Sequence, residues 1–264
     1  MSLYTGTKKI NRKDVLIGTT SDSNIYFSSE VEKSKRVKEL QLVRNQGSEP
    51  EDIEPFPFIN AKDQRYSAFI SALSGSGKSV LCSKLINQIR KARGDPFKRV
   101  LIFTTSVINE DPAYESIENK AIVGFDDEIF QYFLDEGASC FHDKIICMDD
   151  YENVADPKLK KAVLHFLKDI LERTRKQGVD IIVINHQTMN YAATKPIIYE
   201  TENYYLNVQT NRNSSIKFLK SYMDLDKEDM EAIKNYEANS RFAWSMFRKS
   251  YPSYFINGNV VKLL

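Results

Sequence analysis

The sequence predicts an α/β protein with a mostly parallel central sheet buried between helices, and three observations predict it. From residue 66 to residue 208, apolar runs of strand length alternate with helical patterns. Those runs are continuous in Ile and Val, as strands covered on both faces are. A glycine-rich loop, Ala72-Leu73-Ser74-Gly75-Ser76-Gly77-Lys78-Ser79, lies between the first run and the apolar stretch Val80-Leu81-Cys82-Ser83-Lys84-Leu85-Ile86.

In chain order the expected elements are a strand over 66–73, a helix over 78–92, a strand over 99–104, a helix near 126–136 and a strand over 144–149. A helix over 157–177 and strands over 180–185 and 203–208 follow. The helix from 157 is the best defined: Asp156 can cap it, Pro157 suits its first position and Gly178 follows its end. Its Leu159, Val163, Phe166, Leu167 and Ile170 share one face. The C-terminal part predicts a helix over 226–236, then strands over 241–247, 253–256 and 259–263, with Asn257-Gly258 as a hairpin turn. Residues 1–50 are polar and charged, and only 30–40 suggest a short helix or strand. The acidic, proline-bearing stretch over 47–57 suits a linker. The expected division is a polar N-terminal arm and linker (1–57), a core (58–220), and a C-terminal helix and hairpin packed on it (221–264).

A chain of 264 residues with 42% hydrophobic content can bury a large core and suits one α/β domain with appendages. The 37 basic and 36 acidic residues nearly cancel, so any nucleic-acid contact must come from local basic groups or from the assembly of several subunits. Cys82, Cys140 and Cys147 have no paired spacing, and reduced core thiols in a reducing compartment account for them. Residues 1–14 are polar and basic, and no run approaches the roughly 18 apolar residues that span a bilayer. The expectation is a chain neither led by a signal peptide nor membrane-spanning.

The loop from Ser74 to Val80 carries the first chemistry. Gly75 and Gly77 let the chain wrap closely round a phosphate, and the backbone N–H groups and the helix start point at the anion. Lys78 would reach the β- and γ-phosphates of ATP, and the Ser79 hydroxyl a Mg²⁺ ion. Ala72 stands where the pattern usually opens with glycine, a conservative departure that leaves the Gly-Lys-Ser end intact. The bland alternative is a chance glycine-serine turn before a helix.

The second element is Lys144-Ile-Ile-Cys-Met-Asp149-Asp150, a buried strand ending in two carboxylates at the edge where open α/β sheets bind ligands. Asp149 would hold Mg²⁺, and Asp150 would orient a water attacking the γ-phosphate or accept its proton. The alternative is an acidic pair that merely ends a strand. A further strand ends in Asn185-His186-Gln187. In the additional-strand class of P-loop ATPases, which this order of elements resembles, such a strand lies between the two motif strands and presents a polar residue to the γ-phosphate. Gln187 is then the candidate sensor, with Asn185 second. His186 is expected to be a hydrogen-bonded structural residue, because no Cys/His/Asp grouping has metal-ligand spacing.

Together, Phe69 to Ser79, Ile145 to Asp150 and Arg173 to Gln187 resemble the FtsK–HerA superfamily and, within it, the poxvirus-type genome-packaging ATPases of large DNA viruses, virophages and related elements. The resemblance covers about residues 60–220. It implies a homo-oligomeric ring that binds ATP at subunit borders and drives double-stranded DNA into a preformed capsid. It also implies a capsid or portal-region partner, and a location at a viral assembly site or the host cytoplasm. An arginine from the neighbouring subunit is expected; Arg173 and Arg175 are candidates by similarity, as is Arg212. The alternative for the first two is that they complement the C-terminal end of their helix. Lys8, Lys9, Arg12 and Lys13, or the basic run over 33–38, could touch DNA phosphates, and the loop over 106–119 is long enough to enter a pore. Competing readings are a nucleotide or nucleoside kinase, for which no arginine-rich lid is visible, and an ATP-switched binding module on a capsid or membrane-associated partner.

Overall fold

The computed structural model describes residues 2–19, 23–28, 39–41, 59, 65–105, 111–210, 212–223, 225–236, 244–250, 252–257 and 260–263. Its strands and helices, in chain order, begin with β1 (Ser2–Gly6), β2 (Val15–Thr19), β3 (Asn24–Ser28), β4 (Glu39–Gln41) and β5 (Ser67–Ser71). Then come α1 (Lys78–Arg93), β6 (Val100–Thr104), α2 (Pro112–Glu115), β7 (Lys120–Gly124), α3 (Glu128–Glu136), β8 (Ile145–Met148) and α4 (Pro157–Arg173). The chain continues through β9 (Asp180–Asn185), α5 (Tyr191–Glu200), β10 (Asn203–Leu206), α6 (Arg212–Tyr222) and α7 (Lys227–Tyr236). It closes with β11 (Ser245–Arg248), β12 (Tyr254–Asn257) and β13 (Val260–Leu263).

Ten strands form one sheet in the order β4-β13-β12-β11-β10-β5-β9-β8-β6-β7. The six from β10 to β7 run parallel, and β11, β12, β13 and β4 extend the sheet antiparallel. In β5, β6, β8 and β9 every residue is buried, because both faces are covered. Alternation along each strand sorts these side chains into two cores. Phe69, Phe103, Ile146, Met148, Ile181 and Val183 pack with Phe130 of α3, Phe166 of α4, Ile197 of α5, Phe218 of α6 and Met230 of α7. Ile70, Ile102, Ile145, Cys147, Ile182 and Ile184 pack on the opposite face with Leu85 and Ile89 of α1.

The expected α4 is present, with the Asp156 carboxylate accepting from the Leu159 N–H at 2.9 Å and Pro157 in the first turn. It stops at Arg173 and passes into a tighter 3-10 turn over Thr174–Gln177. The antiparallel pairing of β12 with β13, Asn257 opposite Val260, is the C-terminal hairpin, although Gly258 lies outside the described residues.

The N-terminal segment corrects the expectation of a weakly specified arm. β1, β3 and β2 form a three-stranded antiparallel sheet, and its Leu3, Ile17, Ile25 and Phe27 join the α1-side core. Each strand is only five residues long and is set among the polar residues of its neighbouring loops, so the composition reads as polar although Ile17 of β2 and Ile25 to Phe27 of β3 are buried. The short element expected over 30–40 falls outside the described residues except for Glu39 and Leu40 of β4, as do the linker over 47–57 and residues 106–110 of the expected pore loop. The remainder of that loop is not irregular, since it contains α2. β7, α5 and α6 are also additions to the expected order; Pro196 inside α5 reads as a breaker in sequence.

A candidate nucleotide-binding site at the sheet's C-terminal edge

β5 pairs with β9, and β9 with β8, so β9 lies between the strand before the glycine-rich loop and the strand before the acidic pair. Ser71 stands opposite Asn185, and Met148 opposite Val183. The parallel register thus brings the loop after Ser71, the pair after Met148 and the residues after Asn185 to one edge.

The loop must leave β5 and enter α1 within residues 72–77, and Gly75 (φ 71°) and Gly77 (φ 81°) take left-handed backbone to do so. A Cβ at either would cost about 1–2 kcal/mol. No side chain caps the start of α1, which leaves its first N–H groups directed outward, as anion-binding helix starts are. Ala72 is fully buried, has no positive φ, and donates its N–H to the Asn185 carbonyl at 3.3 Å, which explains why glycine is not needed there.

A cleft of about 470 Å³ opens above this edge, lined by Ser74, Gly75, Gly77, Lys78, Ser79 and Val80 from the loop and α1. Thr104, Asp111, Ala113, Tyr114, Ile122, Asp149, Asp150 and His186 complete the lining. Ser76, also expected in the cradle, turns its side chain inward: it is buried and absent from the lining. Lys78 is buried to 8% exposure, and its Nζ lies 3.3 Å from the Leu73 carbonyl and 3.2 Å from Nδ1 of His186. Burial lowers the Lys78 pKa, while the nearby Asp150, Asp149, Glu152 and Asp111 pull it upward.

Asp149 follows β8, and its Oδ2 accepts a 2.7 Å hydrogen bond from the Tyr114 hydroxyl. Burial pushes its pKa up to about 6, against the opposing effects of the Tyr114 bond and of Lys78. Asp150 adopts φ 53°, uncommon for a residue with a side chain, and its Oδ1 lies 2.8 Å from Nε2 of His186. Oε2 of Glu152 accepts from the His186 backbone N–H at 3.1 Å, and burial raises the Glu152 pKa.

Of the sequence-stated candidates, the structure therefore gathers Lys78, Ser79, Asp149 and Asp150 around one cleft. Gln187 does not join them: its side chain is exposed and outside the lining, and His186 holds the position between Lys78 and Asp150. Asn185 is buried and donates to the Tyr151 hydroxyl at 2.6 Å. Arg173 pairs with Asp169 at 2.9 Å, and Arg175 lies 3.8 Å from Glu202; their side chains are 75% and 63% exposed. Both precede β9, at the N-terminal edge of the sheet, so neither can serve its own cleft. Arg212, at the start of α6, is exposed. Tyr114, Asp111 and Thr104 were not anticipated, because they enter the site through the fold and carry no motif.

Among the described residues no group of three or more His, Cys, Asp or Glu side chains is placed to hold a metal ion. A lone hydroxyl and carboxylate, Ser79 and Asp149, nevertheless fit Mg²⁺, which keeps several waters and takes most remaining ligands from phosphates. The buried Asp149 carboxyl, its ionisation disfavoured by its surroundings, is suited to gain from a nearby cation.

A mostly parallel sheet flanked by helices, with a strand inserted between the loop-bearing and acid-ended strands, defines an α/β fold of the P-loop NTPase type, additional-strand class. Solved structures of similar fold include the pCW3 conjugation coupling protein TcpA with ATPγS, at TM-score 0.52 and 11% identity over 94% of this chain and 66% of that one. The genome packaging NTPase B204 from Sulfolobus turreted icosahedral virus 2 with AMPPCP aligns at TM-score 0.47 and 12% identity over 76% of this chain and 98% of that one. The cytoplasmic domain of the Thermomonospora curvata Type VII secretion ATPase EccC aligns at TM-score 0.45 and 11% identity over 98% and 29%. At 11% identity the likeness to TcpA is one of fold. No family model and no curated protein matches the sequence.

Proposed function

We propose that this chain is an ATP-hydrolysing motor that moves double-stranded DNA, and that it packages a genome into a preformed capsid. The observation that carries the ATPase reading is the convergence of Lys78, Ser79, Asp149 and Asp150 on one cleft at the end of a glycine-bearing loop. There the loop N–H groups would bind the phosphates of ATP and Lys78 would reach the terminal ones. Ser79 and Asp149 would hold Mg²⁺, which supplies positive charge to the phosphate oxygens when bound. Asp150 would orient the attacking water and accept its proton. The conjugation coupling protein of similar fold was solved with ATPγS, in keeping with a triphosphate ligand.

Two surface features favour a DNA-moving oligomer. Arg173 and Arg175 are exposed at the edge opposite their own cleft, where a guanidinium can meet the cleft of a second copy. Lys8, Lys9, Arg12 and Lys13 are exposed on the loop joining β1 to β2, a compact cationic knuckle suited to a phosphate backbone. Packaging, as against other transport of DNA, rests on the resemblance of the three sequence segments to the FtsK–HerA packaging branch, which also suggests a capsid or portal-region partner and a viral assembly site.

The test is ATP hydrolysis by the full chain with and without duplex DNA, alongside Lys78→Ala. The expected result is hydrolysis that rises with duplex DNA and disappears in Lys78→Ala. Hydrolysis indifferent to both DNA and Lys78, or transfer of the γ-phosphate to a nucleoside instead of water, would overturn the proposal.

A further inference from the structure

The alternation of β9 decides which side chain beyond its end reaches the phosphate loop. Ile182 and Ile184 face the α1 side with Ile70 and Cys147, whereas Ile181 and Val183 face the other core. Continuing that period of two, His186 falls on the α1 side, above Lys78, and Gln187 on the opposite side. The contacts agree: His186 lines the cleft and Gln187 does not.

His186 bridges the two residues on which phosphate binding and hydrolysis depend. Its Nδ1 lies 3.2 Å from Nζ of Lys78, and its Nε2 lies 2.8 Å from Oδ1 of Asp150. The hydrogen bonding fixes the roles, because an ammonium can only donate and a carboxylate can only accept. Nδ1 therefore accepts from Lys78, and Nε2 carries the ring proton and donates to Asp150. The ring is held from behind by its own backbone N–H, which donates to Glu152 at 3.1 Å.

In this arrangement the imidazole takes one of the three N–H donors of Lys78, a second goes to the Leu73 carbonyl, and the single ring N–H of His186 occupies an oxygen of Asp150. Building on the ATPase reading, we propose that His186 reads the terminal phosphate: it holds Asp150 while that phosphate is absent and gives its N–H to a phosphate oxygen when it is present. The competition is between two anionic acceptors for one N–H. Once Lys78 turns to the phosphate, its bond to Nδ1 is lost, and the ring can reorient towards the phosphate. Asp150 Oδ1 then becomes available to the attacking water. His186 thus touches the terminal phosphate when it is bound and positions Asp150 when it is not; a diphosphate, lacking the terminal group, leaves the bridge in place.

The experiment measures equilibrium binding of ATPγS and of ADP to the full chain, with steady-state ATP hydrolysis, for wild type, His186→Ala and His186→Gln. Loss of a hydrogen bond to a charged group predicts that the preference for ATPγS over ADP falls about tenfold or more in His186→Ala. ADP affinity is retained, which also establishes that this variant is folded. Hydrolysis at saturating ATP drops as well, so that kcat changes along with KM. His186→Gln, whose amide can accept from Lys78 and donate to Asp150 or phosphate, recovers part of the preference. An unchanged ATPγS-to-ADP ratio in His186→Ala overturns the role given to His186 and leaves the ATPase reading standing. Wild-type protein that binds neither nucleotide overturns that reading itself.

Discussion

The Tyr114 hydroxyl donates a 2.7 Å hydrogen bond to Oδ2 of Asp149, and both residues are buried. Tyr114 comes from the one-turn helix α2, within a segment whose sequence suggests only a loop. The bond fixes the carboxylate that would face the metal without neutralising it, and burial still raises the Asp149 pKa to about 6 from 3.8. Such a carboxyl is suited to a cation and poorly suited to standing alone at neutral pH.

The first prediction concerns stability against pH in the absence of Mg²⁺ and nucleotide. A folded-state pKa above the unfolded one favours the protonated native form, so the contribution of Asp149 is fully present below pH 3.8 and is lost as pH rises through about 6. Relative to a residue that cannot ionise, the charged Asp149 then disfavours the fold by roughly 3 kcal/mol. Asp149→Asn should therefore melt several degrees higher than wild type at pH 8, with the difference closing towards pH 4. Adding Mg·ATP should raise the midpoint of wild type more than that of the variant. A variant that melts no higher than wild type at pH 8 would refute the buried-charge account.

The second prediction concerns the floor of β9. Asp180 is fully buried and accepts from Arg93 Nη2 at 2.6 Å, Arg93 Nε at 3.2 Å and the Tyr66 N–H at 2.7 Å. Lys98 Nζ stands 3.7 Å away. Asp180→Ala removes the acceptor these groups share and leaves buried positive charge behind, at a cost of about 3–5 kcal/mol. Denaturant unfolding should show a midpoint reduced accordingly, and a change below about 1 kcal/mol would mean that water replaces the carboxylate.

The third prediction concerns the face of the sheet that packs against α3 and α4. Phe103 of β6 is fully buried and makes edge-to-face contacts with Phe130, Phe133, Phe141 and Phe166, at centroid separations of 5.9, 5.4, 6.2 and 5.3 Å. Phe103→Ala should cost about 3–5 kcal/mol, whereas Phe103→Leu should recover much of the loss by filling the volume. Unfolding of both variants against wild type measures this directly.

What the sequence made legible was local. Gly75, Gly77 and Lys78 announce a loop because their backbone demands are written in adjacent residues, and β8 and β9 announce themselves because burial on both faces leaves unbroken apolar runs, Ile145 to Met148 and Ile181 to Ile184. The site residues that escaped notice arrive by tertiary placement. Tyr114 reaches Asp149 across 35 positions of chain, and His186 reaches Lys78 across 108. The choice between His186 and Gln187 depends on which face of β9 looks towards α1, and that follows from strand order. The N-terminal sheet was obscured for a different reason: Leu3, Ile17, Ile25 and Phe27 are few among polar neighbours, and their common face exists only once three strands pair.

The last prediction concerns the knuckle between β1 and β2, which follows from that overlooked sheet. Its base is fixed: the Tyr4 hydroxyl donates to Asp14 at 2.5 Å and accepts from the Ile10 N–H at 2.9 Å, while Asp14 also accepts from the Asn11 N–H at 2.8 Å. Between these anchors Lys8, Lys9, Arg12 and Lys13 stand exposed, with Ile10 at 71% exposure among them. A loop already ordered gives up little entropy on meeting a phosphate backbone, so its cations can act together. If all four meet phosphates, reversing them to Glu should flatten the slope of log affinity for duplex DNA against log salt by about 0.9 per lost contact, or nearly 4 in total. The same variant should keep DNA-independent ATP hydrolysis, since none of the four residues lines the cleft. An unaltered salt slope, measured by fluorescence anisotropy between low and moderate salt, would place the DNA track on another surface of the chain.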